Sequence, residues 1–202
     1  HRPSETASAG HRTAINVAEL GHRAIERGDV VCEPGVFAAA DLVDVRLTTL
    51  RGISRPLRHD QEVRLHVGTV ECAARVLLVG AKRQAADTTG YAQLKLDRPV
   101  VIAPGDRFIV HLPAQLVTLG GGVILGRGEH GRGRRRASMA EQFAERERGL
   151  TDRRVALESS LRRAGPEGRS RADLVLELMR RRDEIDVELG HLLDHGVAVQ
   201  LD

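Results

Sequence analysis

Tryptophan is absent from this 202-residue sequence, tyrosine occurs once (Tyr91), and aromatics together make up 2%. That excludes the stacking platform with which single-strand readers hold bases, since such a surface needs several exposed rings. Any core must be built from Val, Leu, Ile and Ala, and 41% hydrophobic residues supply enough of them for more than one small domain. Cysteine occurs twice, at Cys32 and Cys72, with no C-x-x-C pair and no Cys/His group at zinc spacing. Cys72 lies on the apolar side of an alternating run, which predicts a buried free thiol and fits a reducing cytoplasm. No apolar run approaches the roughly 20 residues of a membrane span. The phosphate-loop pattern Gly-x4-Gly-Lys-Ser/Thr is missing, and so is a Gly-x-Ser-x-Gly elbow. The nine histidines are scattered, without the i, i+4 pair backed by Glu that marks a helical metal site. A lone strand histidine such as His66 reads as a surface residue. No catalytic or metal-binding constellation is legible. The chain opens on His1 instead of Met, so further sequence is expected upstream.

What is present is arginine. Lysine appears only at Lys82 and Lys95 among the 31 Lys and Arg, the net charge is +3 and the pI about 9.4. The guanidinium fork suits a polyanionic partner, although a GC-rich coding sequence is the plainer account of the excess.

The hydrophobic period divides the chain. From Arg12 to about Leu125 it is two. Val63, Leu65 and Val67 alternate with polar neighbours, as do Val70 to Leu78, Ala92 to Leu96 and Phe108 to Leu112. These are half-buried antiparallel strands, punctuated at Pro34-Gly35, Arg55-Pro56, Arg98-Pro99 and Pro104-Gly105, and their spacing predicts a barrel or sandwich. Gly120-Gly121-Gly122 sits between short apolar segments, where close approach of backbone to backbone or to phosphate explains it better than a nucleotide loop. From Thr151 the period becomes helical: Leu150, Leu157, Leu161 and Ala164 line a stripe that Gly165-Pro166 ends. Ser170 to Asp173 has the form of a capping box before Leu174 and Leu178. A third helix is expected over about Asp183 to His195, closed by Gly196, and Val197, Val199 and Leu201 then alternate as a strand. Three helices and a strand are the order of a winged helix entering its wing.

Between the halves, Gly126 to Arg136 holds five arginines and four glycines with no apolar residue. It reads as a flexible basic linker, a solvated spacer whose Arg134, Arg135 and Arg136 are the candidates for a phosphate contact. The third helix carries Asp183, Glu184, Asp186, Glu188 and Asp194, and five carboxylates would repel a nucleic-acid backbone. This winged helix is therefore expected to be a spacer or protein-contact module. Arg180-Arg181-Arg182 is expected to cap the dipole of the second helix.

Several blocks, read in order, carry a resemblance. Ala9-Gly10-His11-Arg12-Thr13-Ala14-Ile15-Asn16 and Arg27-Gly28-Asp29-Val30-Val31 are followed by Asp44-Val45-Arg46-Leu47. Then come Arg55-Pro56-Leu57-Arg58-His59, Val63-Arg64-Leu65-His66-Val67-Gly68-Thr69, Pro104-Gly105-Asp106-Arg107-Phe108 and Thr118-Leu119-Gly120-Gly121-Gly122. Over about Arg2 to Ile124 this order resembles the bacterial selenocysteine-specific elongation factor (SelB) family. The resemblance implies a mainly β, then α chain with elongation-factor-Tu-like antiparallel barrels before a winged helix. Residues 1–37 would be the end of a second-domain barrel and 38–126 a third-domain barrel. Residues 127–150 would be the basic linker with a lead-in helix, and 151–202 the first winged helix.

The resemblance also implies a role. The parent protein would deliver selenocysteyl-tRNA to the ribosome and grip an mRNA hairpin through later winged helices. GTP and Mg would sit in a domain outside this chain, which would itself be a non-enzymatic, cofactor-free, cytoplasmic monomeric part. Arg12, beside His11 where the family has Gln, would help form the selenocysteine pocket, where a fixed cation favours the selenolate. His111, Thr118 and Gly120 would meet the tRNA backbone, His111 standing where the family commonly has Arg. The alternative from another class is a free-standing winged-helix regulator with a β-rich ligand domain, which the acidic third helix disfavours.

Overall fold

A computed structural model of the chain describes residues 6–17, 25–114, 117–129 and 136–200. The alternating runs become β1 (Ala40–Thr49), β2 (Leu57–Arg58), β3 (Gln61–Val67), β4 (Val70–Leu78), β5 (Arg83–Gln84), β6 (Thr89–Val100), β7 (Arg107–His111) and β8 (Thr118–Arg127). Six of them close an antiparallel barrel in the order β1-β6-β4-β3-β7-β8, while β2 and β5 pair separately. Closure leaves no open edge. The inward positions, among them Val45, Leu47, Val63, Leu65, Leu94 and Val110, are fully buried in one aliphatic core. Cys72 is buried within it and Cys32 is exposed.

The glycine run closes the seam. In β8, Gly120, Gly121 and Gly122 pair with β1 on one side and β7 on the other. A Cβ on any of the three would stand closer than 3.0 Å to a backbone carbonyl oxygen, that of Thr48, Phe108 or Arg46 respectively. The backbone-to-backbone alternative is thus the one realised, and β8 runs on through Gly126 and Arg127, paired to Asp44 and Val43. The basic linker accordingly begins two residues later than its composition indicates, because ladder pairing overrides the turn preference of Gly.

The helical half comprises α1 (Arg136–Gly149), α2 (Arg153–Ala164), α3 (Arg171–Leu178) and α4 (Arg182–Asp194), with a 3-10 turn over Gly165–Glu167. Asp152 caps α2, accepting from the amides of Arg154 and Val155, and Ser170 caps α3, accepting from Asp173 N at 3.1 Å. Gly165 at φ 63° and Gly196 at φ 67° stand at the helix ends where the sequence places them. Leu157, Leu174, Val175, Ile185 and Leu192 form a second core. Val36 joins it and Phe37 packs against it, so these two residues belong to the helical unit.

Three expectations need correction. The wing strand does not form over Val197–Gln200: the amides of Val197 and Ala198 bond back to Leu192 O at 2.9 and 3.2 Å, and no strand among the described residues pairs with them. Leu201 lies outside the described residues. Arg180, Arg181 and Arg182 do not cap the second helix. That helix ends at Leu178 with Met179 left-handed (φ 50°), and the arginines reach forward to the carboxylates of Glu184, Glu188, Asp183 and Asp186. The third helix, expected over about Asp183 to His195, runs from Arg182 to Asp194 and so opens on an arginine. The described residues of the leading segment, 6–17 and 25–39, carry no strand.

Candidate nucleic-acid interface

The candidate tRNA residues converge at one rim of the barrel. His111 and Thr118 face each other across β7 and β8, and Thr118 Oγ1 lies 3.2 Å from His111 Nδ1. The His66 ring, from the neighbouring β3, meets His111 edge-on with centroids 4.8 Å apart. His66 is thus half-buried and paired, more than a surface residue. Gly120 is next on β8, buried, with its backbone turned to β1, so its evident contribution is to bring the strands together.

Beside this pair a broad groove of about 920 Å³ opens between the β1–β3 connection and the β7–β8 loop. Arg55, Arg58 and His59 line one wall and Leu112, Pro113 and Val117 the other. Arg55 and Arg58 are exposed and have no carboxylate partner among the described residues. Unpaired guanidiniums at the lip of a groove can meet phosphate at no cost of breaking an existing pair. The block Arg55-Pro56-Leu57-Arg58-His59 marks this wall in the sequence, but only topology brings it next to the β7–β8 loop.

The other candidates lie apart. His11 and Arg12 are exposed in the strandless leading segment, with nothing of a pocket around them among the described residues. Arg134 and Arg135 fall outside the described residues, and Arg136 opens α1. His191 on α4 and His195 at its C-cap do stack, with centroids 4.1 Å apart, yet no group of three potential metal ligands occurs among the described residues. No described helix is long and apolar enough to cross a membrane.

A charged junction that the sequence did not reveal joins barrel to helices. Arg146 of α1 forms an ion pair with Asp44 of β1, both almost fully buried, and also donates to Arg127 O at 2.7 Å. Gln93 donates to the same carboxylate at 2.8 Å. Burial holds the Asp44 carboxyl above its usual range despite Arg146. Glu147 pairs with Arg46 at 2.7 Å and accepts from the Tyr91 hydroxyl at 2.8 Å, and burial together with that bond raises the Tyr91 phenol. Deeper, Glu177 of α3 accepts from Arg163 and from Ser160 Oγ at 2.7 Å. Burial alone would raise Glu177, but these cationic and hydroxyl partners together bring it below its ordinary value. Asp44 and Arg46 occupy outward positions of β1, which on an uncovered sheet would face water; α1 covers them.

The barrel is thus closed and antiparallel, with Arg55 and Arg58 in a groove at one rim and helices packed on its flank. Residues 41–129 match the family described as "Selenocysteine-specific elongation factor, beta-barrel domain". Over these residues the chain is similar to that β-barrel domain. It is 34% identical over 122 residues to the selenocysteine-specific elongation factor of Desulfomicrobium baculatum, an overlap that takes in 60% of this chain and 19% of the relative. To that of Haemophilus influenzae it is 28% identical over 108 residues, 53% of this chain and 17% of the relative. The chain thus spans about a fifth of the length of these curated relatives.

Proposed function

We propose that this chain supplies the tRNA-facing barrel surface of a GTP-dependent factor that brings selenocysteyl-tRNA to the ribosome at recoded UGA codons. The observation that carries the reading is the coincidence of the match to that family's barrel, over 41–129, with a groove whose exposed Arg55 and Arg58 have no carboxylate partner among the described residues. His111 and Thr118 extend the same rim, with Gly120 beneath them. Selenocysteyl-tRNA and the ribosome are the partners, in the cytoplasm and with the chain as a monomeric part. The mRNA hairpin is engaged through domains outside this chain, as are GTP and Mg. The helices serve as a winged-helix spacer: Arg171 holds Asp186 and Arg180 holds Glu188, so these two α4 carboxylates are occupied within the chain. Arg12, with His11, contributes to the selenocysteine pocket.

Two substitutions in the full-length factor test this. Arg12→Ala should lower the preference for selenocysteyl-tRNA over seryl-tRNA, and equal preference would remove Arg12 from the pocket. Arg58→Ala should weaken binding of both tRNAs alike and lower the salt dependence by about one unit of slope; an unchanged slope would remove the groove from the tRNA path.

A further inference from the structure

A second cavity, of about 260 Å³, lies between the end of β8, the Ala103–Gly105 turn and the helices. At roughly 30 Å³ per water it has room for about eight waters. Its charge is lopsided. Arg127, Arg146, Arg153, Arg163 and Arg180 line it against two glutamates, Glu177 and Glu184. Both glutamates are already engaged: Glu177 by Arg163 and Ser160, Glu184 by Arg180 at 3.4 Å. Arg146 and Arg180 are likewise satisfied, by Asp44 and Glu188.

Three donors are left over. The Arg163 side chain is 6% exposed, yet its Nε is buried without an acceptor. A buried donor left unmet costs about 1–3 kcal/mol, and more when it is charged. Arg127 has no carboxylate partner among the described residues, and Arg153 comes no nearer than 4.0 Å to Glu184. Burial and the neighbouring Arg146 charge together push the Arg163 guanidinium below its ordinary range, which is how two desolvated cations behave with too little anion between them.

We infer that this cavity is a binding site for a small dianionic phosphate group, held by Arg163 from the floor and by Arg127 and Arg153 from the mouth. A phosphate supplies several acceptor oxygens to guanidinium forks and offsets the surplus charge. Occupancy would tie the end of β8 to α2 and so strengthen the barrel–helix junction. The site is distinct from the rim groove and does not depend on the tRNA reading.

The probe is inorganic phosphate, titrated calorimetrically into the intact chain at constant ionic strength. The expected result is saturable one-to-one binding that also raises the melting temperature. Arg127→Ala and Arg153→Ala, both away from the Arg163–Glu177 pair, should each loosen it about tenfold or more, as expected for one charge-assisted contact. Dimethyl phosphate, a monoanionic stand-in for an RNA backbone, should bind at least about tenfold more weakly than phosphate. Binding that does not saturate, that survives both substitutions, or that favours the diester would overturn the assignment.

Discussion

Replacing Arg146 by Met removes the cation of the barrel–helix ion pair while filling most of its volume. Asp44, its side chain 4% exposed, is left with Gln93 as its side-chain partner among the described residues. Stranding one member of a buried pair costs about 3–5 kcal/mol, a large share of the roughly 5–15 kcal/mol that holds a domain folded. The loss should depend on pH in a definite direction. In the wild type the Asp44 carboxyl already titrates above its unfolded value near 3.8, so its contribution to stability is full below that value and falls as pH rises. Without Arg146 the carboxyl rises further, so Arg146→Met should be most destabilising near pH 8 and less so near pH 5. Adding Asp44→Leu should recover most of the loss, since an apolar pair of similar volume is near neutral or better. Tyr91 makes the assay simple. It is the only tyrosine in a chain without tryptophan, and it sits at this junction, edge-on to Phe143 and bonded to Glu147. Urea unfolding followed by its fluorescence reads the junction directly. An Arg146→Met midpoint equal to wild type at pH 8, or a double variant as weak as the single one, would refute the reasoning.

Gly122→Ala should destabilise the barrel by about 1–3 kcal/mol or more, because the clash is with the Arg46 backbone and no side chain can turn aside. Gly52→Ala, with nothing within 4 Å, should leave the urea midpoint nearly unchanged, and equal effects of the two would remove the seam argument. Glu177 has its folded-state value lowered, so its contribution is present above its unfolded value near 4.5 and lost as pH falls. Glu177→Gln should therefore cost most at neutral pH and progressively less toward pH 3, checked by thermal melts across that range; a gap that widens in acid would contradict the arrangement drawn for Arg163.

The barrel was legible wherever one face of a strand meets the core. Val63-Leu65-Val67 and Phe108-Val110 advertise their period because their alternate residues face outward and are polar. The glycine run was legible as a close approach, but the strands it approaches, β1 and β7, were not, since pairing between distant segments leaves no local mark. Asp44 and Arg46 show the limit from the other side. At outward positions they look solvated, and only the docking of α1, about a hundred residues on, turns them into a buried junction. Val36 and Phe37 were assigned to the leading segment because nothing nearby signals that the helical core needs them. The expected wing failed for the opposite reason: alternation at Val197 and Val199 states a preference, but a strand needs a partner. In the candidate site, His111 and Thr118 meet across the β7–β8 pair, whereas the groove lined by Arg55 and Arg58 depends on two loops meeting in space.

Whether this rim meets a tRNA backbone can be read at His111, which faces Thr118 across β7 and β8. Binding of selenocysteyl-tRNA to the full-length factor would be measured across a salt series for the wild type and for His111→Arg. A rim in contact with the backbone gives tighter binding and a slope of log affinity against log salt steeper by about one, the signature of one added phosphate contact. Identical affinity and slope would mean that this rim does not meet the tRNA.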